Sequence, residues 1–121
     1  LSSDSKQGAA KSMGVLAISL AQVLERLKPD ILLLLGDRYE ILAAASVAVV
    51  MNIPIAHLCG GESTEGAMDE QIRHAVTKLS HIHFTQTEFY RQRVVKMGEE
   101  EWRVYNVGAL GFENIKNKTT K

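Results

Sequence analysis

The sequence predicts an α/β fold built on a parallel, doubly wound sheet, and three observations carry that prediction. Four short segments of strand character alternate with four segments of helical periodicity. The first aliphatic segment, residues 31–35, is five apolar residues without alternation, the pattern of a strand covered on both faces. Each such segment ends in a polar or glycine-containing loop, as strands in repeated βα units do.

Met13, Leu16, Ala17, Leu20, Val23, Leu24 and Leu27 recur at three- and four-residue intervals and predict a helix over residues 9–27. Lys28-Pro29-Asp30 closes it, because proline disfavours helical backbone in the residue before it. The strand at 31–35 follows and stops at Gly36-Asp37-Arg38. Residues 40–51 are rich in alanine, a composition that favours helix and permits close packing on a sheet, and Asn52 ends the run. Residues 53–58 form the second strand, with Pro54 near its start, where a missing ladder donor does least harm. A loop over 59–66 leads to a helix over 69–79, marked by Ile72, Val76 and Leu79, with Asp69 and Glu70 in the first turn, where the helix dipole favours acids. Ile82–Thr85 is the third strand. Thr87 suits the N-cap of a helix reaching Met97, Gly98 suits its C′ position, and residues 103–107 make the fourth strand.

A chain of 121 residues is long enough for one domain with a real core. Lys and Arg number 14 against 14 Asp and Glu, and the isoelectric point is near 7.1, so there is no basic excess to hold nucleic acid or an anionic membrane. A single cysteine excludes an internal disulfide, and no apolar run approaches the roughly 20 residues that span a bilayer. These features lead us to expect a reduced, cytoplasmic protein. The sequence opens at Leu1 without methionine or leader, passes through polar residues 2–7 that read as a connecting loop to the first helix, and closes on the polar residues 116–121. We therefore expect a segment of a longer chain: a partial Rossmann-like domain over 1–115, then a polar tail or the start of a linker.

Open α/β sheets bind ligands beyond the carboxyl ends of their strands. Asp37 stands there directly after five aliphatic residues, placed either for proton transfer or to cap the helix that follows. Arg38 either neutralises an anion or pairs with Asp37 or Glu40. Gly60-Gly61 permits close backbone approach to a ligand or positive φ. Glu62, Asp69 and Glu70 add carboxylates that with Asp37 suit general acid and base roles, although Asp69 also fits a plain helix start. Asp69, Arg73 and Thr77 share a helix face, and His74 lies beside it; Arg73 and His74 either bind an anionic or sugar substrate, or Arg73 simply pairs with Asp69. His57-x-Cys59 and His81-x-His83 raise a metal site, but their spacing matches no compact zinc pattern and no metal is expected. His81 and His83 fit equally as core or edge histidines, and the run Glu99-Glu100-Glu101 with Trp102 reads as a solvated loop.

Six motifs then resemble one family. Gly-Asp-Arg-Tyr-Glu at 36–40, Ile-Pro-Ile-Ala-His at 53–57, Gly-Gly-Glu at 60–62, Glu-Gly-Ala-Met-Asp-Glu at 65–70, Ile-Arg-His-Ala-Val-Thr-Lys-Leu-Ser-His at 72–81 and Val-Gly-Ala at 107–109 look like the hydrolysing UDP-N-acetylglucosamine 2-epimerases of sialic and legionaminic acid synthesis. The resemblance implies a glycosyltransferase-B arrangement of two Rossmann-like domains, with this chain as part of the first. It also implies a UDP-sugar substrate, no cofactor, a homo-oligomeric complete enzyme, and conversion through loss of UDP to a 2-acetamidoglucal followed by addition of water. By the same resemblance Asp37 and Asp69 are essential carboxylates, and Arg38, His57, Gly60, Gly61, Arg73 and His74 surround substrate. Where several members carry a third acid two residues after the histidine, this chain has Cys59, and Glu62 becomes the candidate. The form of the 65–70 motif leaves a 2,4-diacetamido trideoxy sugar nucleotide open beside UDP-GlcNAc. Two alternatives stand beside this reading: a non-hydrolysing UDP-GlcNAc 2-epimerase, and an inert isolated module.

Overall fold

A computed structural model describes residues 5–61 and 67–109. Helix α1 (Lys6–Leu27) is followed by β1 (Leu32–Leu35), α2 (Tyr39–Val50), β2 (Ile55–Leu58), α3 (Ala67–Leu79), β3 (Ile82–Thr85), α4 (Glu88–Lys96), a single 3-10 turn (Glu101–Arg103) and β4 (Val104–Asn106). All three strand pairings are parallel and the sheet order is β1-β2-β3-β4. This is the parallel α/β architecture predicted from the alternation of segments. Among the described residues, no helix is long and apolar enough to cross a membrane.

Local chemistry explains where the helices begin and end. Ser5 caps α1 by accepting the Gly8 N–H at 2.8 Å, so the helix starts three residues before its first apolar position. At the end of α2, Asn52 takes φ 60° and donates to Val49 O, while Ile53 donates to Ala48 O. Those two bonds are the paired closure of a Schellman motif, in which asparagine tolerates the left-handed position. Thr87 caps α4 by accepting from Tyr90 N, and Gly98 follows at φ 102°.

The core lies between the helices and one face of the sheet. Leu34, Ile55, Ala44, Ala45, Ala48, Ile72, Val76 and Leu24 form one buried cluster joining β1, β2 and helices α1 to α3. The alanines let α2 sit close to both neighbours, and each large aliphatic side chain fully withdrawn from water stabilises the fold by roughly 1.5–3 kcal/mol. β1 departs from expectation here. Leu34 is buried, but Leu33 and Leu35 on the opposite face are 57% and 60% exposed. Among the described residues, the helices that meet β1 all lie on the Leu34 side, so the unbroken apolar run does not correspond to two covered faces.

Candidate active site

The polar rim sits where the strands end and helices α2 and α3 begin. Gly36, at φ 118°, turns the chain out of β1 and delivers Asp37. The Asp37 carboxylate does not cap α2; the N-cap position belongs to Arg38, whose side chain makes no capping bond. Asp37 instead forms an ion pair with Arg73 of α3, 36 residues away, and both side chains are largely withdrawn from solvent. This partner lies beyond the local pairing with Asp69 that the helical spacing suggested. Arg73 follows Asp69 by about one turn of α3, so the pair ties Asp37 to the helix that carries the second acid.

Asp69, Arg38 and Tyr39 line an open cavity of about 630 Å³ between the N-terminal parts of α1, α2 and α3, with Lys6 and Met68 also in its lining. Arg38 remains exposed, its Nε 3.4 Å from Glu40 and its guanidinium 5.7 Å from the Tyr39 ring centre. It is therefore free to swing toward an anion at little cost, since an exposed pair of this kind is worth under about 1 kcal/mol. His74 is half-buried, with Nε2 3.9 Å from Glu70, which also lies 3.8 Å from Arg93. Glu62 lies outside the described residues, as does the rest of the loop at 62–66.

His57 departs from its expected place at the substrate. It is fully buried on β2, its Nε2 3.3 Å from Gly36 O and its Nδ1 3.4 Å from Thr77 Oγ1. Burial is the main cause that lowers its pKa from 6.5 to about 4, so the ring is neutral at ordinary pH. A side chain with no exposed surface acts on a ligand only through the groups it holds. Gly60 and Gly61 also serve packing rather than an open face. A Cβ on Gly61, whose φ is 81°, would lie 2.5 Å from Tyr90 O of α4, and one on Gly60 would lie 3.2 Å from Thr77 Oγ1 and 3.3 Å from His57 Nδ1. Cys59 takes φ 69°, and its Sγ accepts from Gln86 Nε2 at 3.2 Å.

The remaining histidines are engaged by protein groups. His81 Nδ1 accepts the Ile55 N–H, and His83 Nε2 lies 2.8 Å from Glu99. Among the described residues, no three His, Cys, Asp or Glu side chains converge as a metal site. Glu99 corrects the reading of 99–101 as a solvated loop. It is buried, bonded to Lys78 at 2.6 Å and to His83, with Arg103 3.6 Å away. Burial pushes its pKa up, yet the hydrogen bonds from Lys78 and His83 outweigh that and hold the carboxyl below its usual range. Neither this cluster nor the Asp37–Arg73 pair has a local sequence signal. The available clue was that an arginine on the packed side of an amphipathic helix is rarely buried without a carboxylate.

The fold and this rim define the class first: an open α/β protein with a parallel sheet, a class that binds ligands beyond the carboxyl edge of its strands. Comparison with known proteins then makes it specific. The profile of the family described as UDP-N-acetylglucosamine 2-epimerase matches residues 1–121, and the chain belongs to that family. It is 49% identical over 117 residues to the GDP/UDP-N,N'-diacetylbacillosamine 2-epimerase (hydrolyzing) of Campylobacter jejuni, covering 97% of this chain and 30% of that protein. It is 49% identical over 106 residues to the UDP-N,N'-diacetylbacillosamine 2-epimerase (hydrolyzing) of Legionella pneumophila, covering 88% of this chain and 28% of that one. Among solved structures, the UDP-GlcNAc 2-epimerase of Neisseria meningitidis bound to UDP-GlcNAc superposes with a TM-score of 0.75 at 29% identity, over 79% of this chain and 27% of that one. The chain thus spans under a third of the length of these relatives.

Proposed function

We propose that this chain supplies the reacting carboxylates of a hydrolysing 2-epimerase that acts on a 2-acetamido UDP-sugar, with a 2,4-diacetamido trideoxy sugar nucleotide as preferred substrate. The observation that carries the reading is the ion pair that ties Asp37, at the end of β1, to Arg73 on α3, the helix that presents Asp69 to the open cavity one turn earlier. One carboxylate takes the C2 proton as the C1–O bond to the diphosphate breaks, which releases UDP and leaves a 2-acetamidoglucal. Water then adds its oxygen at C1, and a proton returns to C2 from the opposite face, giving the free epimeric sugar. Two acids at one rim suit this exchange of protons. Glu62 is the third acid in this proposal, and Arg38 and His74 face the substrate. Residues 1–115 belong to the first of two Rossmann-like domains, and the groups that hold the diphosphate lie mainly on the second.

The 49% identity to two relatives named as hydrolysing enzymes on diacetylbacillosamine nucleotides supports both the hydrolytic outcome and the diacetamido sugar. Competition between UDP-N,N'-diacetylbacillosamine and UDP-GlcNAc, offered to the complete gene product with free UDP as readout, tests the substrate. We expect kcat/KM to favour the diacetamido substrate by at least about tenfold, since a site that hydrogen-bonds an amide discriminates against an analogue lacking it. Preference for UDP-GlcNAc would overturn the substrate assignment.

A further inference from the structure

The geometry points to His57 as a positioning residue of this site: as a neutral ring protonated on Nε2, it ties the Gly36 carbonyl, and with it Asp37, to Thr77 on the helix that carries Asp69 and Arg73. The inference rests on the epimerase reading for its catalytic consequence and on geometry for the tether itself. Gly36 O offers only lone pairs, so the ring nitrogen 3.3 Å away must donate. In a neutral imidazole the other nitrogen is then an acceptor, and the Thr77 hydroxyl, 3.4 Å from Nδ1, donates to it. Both His57 and Thr77 are fully buried, so water does not compete for either bond.

The tether matters because of what surrounds it. Gly36 has φ 118°, a conformation that restrains the following residue little by itself. Two links from α3 compensate for that freedom. Arg73 grips the Asp37 side chain, and Thr77, four residues further on, holds the backbone one residue earlier through His57. The turn after β2 closes on the same junction, since a Cβ on Gly60 would press on Thr77 Oγ1 at 3.2 Å and on the ring at 3.3 Å. One buried imidazole therefore sets the registration of the β1 acid against the α3 acid, without touching substrate.

Two substitutions separate this role from simple packing. His57→Gln places an amide N–H near the position of Nε2 and keeps the bond to Gly36; His57→Asn reaches only the Nδ1 position and loses it. In the complete gene product we expect Asn to lower kcat by about ten- to a hundredfold, the scale for a misplacement near 1 Å, with KM changed less than about threefold, and Gln to recover most of the lost kcat. Equal loss in both variants, or an effect confined to KM, would overturn the proposal. The ring itself is read in the wild-type protein by ¹⁵N NMR. We expect the Nε2–H tautomer to persist from about pH 8 down to about pH 5, and a ring protonated on Nδ1 would overturn the tether. A wild-type protein that releases no UDP from a sugar nucleotide would defeat the functional reading instead, and the ring spectrum would still decide the geometry.

Discussion

Asp37→Asn lowers kcat of the complete gene product by at least about a hundredfold, the usual loss when a general acid or base is removed. The side chain keeps its shape but loses its charge, its basicity and its ion pair with Arg73. Arg73 is 7% exposed, so the substitution also removes one charge partner of a buried guanidinium and lowers stability. The two effects separate in a second variant. Combining Asp37→Asn with Arg73→Met removes the buried charge along with its lost partner, so part of the lost thermal stability recovers while turnover stays at least about a hundredfold down. Turnover that recovers together with stability would reduce Asp37 to a structural partner of Arg73.

Gly61→Ala is expected to cost several kcal/mol of stability without touching an acid of the site. Its φ of 81° puts a substituted residue in the left-handed region, and the new Cβ would sit 2.5 Å from Tyr90 O and 3.0 Å from Val94 Cγ2. A carbonyl in the middle of a turn of α4 does not rotate away as a flexible side-chain end would, so the helix must move. Conformational cost of about 1–2 kcal/mol and overpacking of about 1–3 kcal/mol add here. Gly108→Ala is the internal control. Its φ is 71° but nothing lies within 4 Å of its Cβ position, so it carries the conformational cost alone. Denaturant titration of both variants measures the difference, and equal destabilisation would contradict the close packing of the β2 turn on α4.

Legibility followed the range of the interactions. The caps at Thr87 and Gly98 and the stop at Asn52 were readable because each depends on a few adjacent residues. The start of α1 was read late because Lys6 and Gln7 add no apolar periodicity, although Ser5 three residues before Gly8 carried the capping signal. Ile82–Thr85 was placed at its observed bounds, whereas β1, β2 and β4 are each shorter than the apolar run that announced them. That shortening reflects ladder pairing, which ends where the neighbouring strand ends and not where hydrophobicity does.

The site was legible as a set of residue types, and less so as an arrangement. Asp37 and Asp69 could be singled out from their positions after a strand and at a helix start. The pairing of Asp37 with Arg73 crosses 36 residues and follows from the turn after β1 meeting α3 in space. The family resemblance sets His57 beside substrate, but its register partners Leu34 and His83 put its ring on the helix-covered face of the sheet. Glu99 was hidden by Glu100 and Glu101, which share its charge and not its burial.

The central claim is that carboxylates at this rim exchange the C2 proton of a sugar nucleotide while its bond to UDP is broken. Turnover of the complete gene product in deuterated water, followed by NMR of the product, tests that claim most directly. The account predicts free UDP and an epimeric free sugar carrying one deuterium at C2. Product that remains attached to UDP, or that retains its original hydrogen at C2, would contradict it.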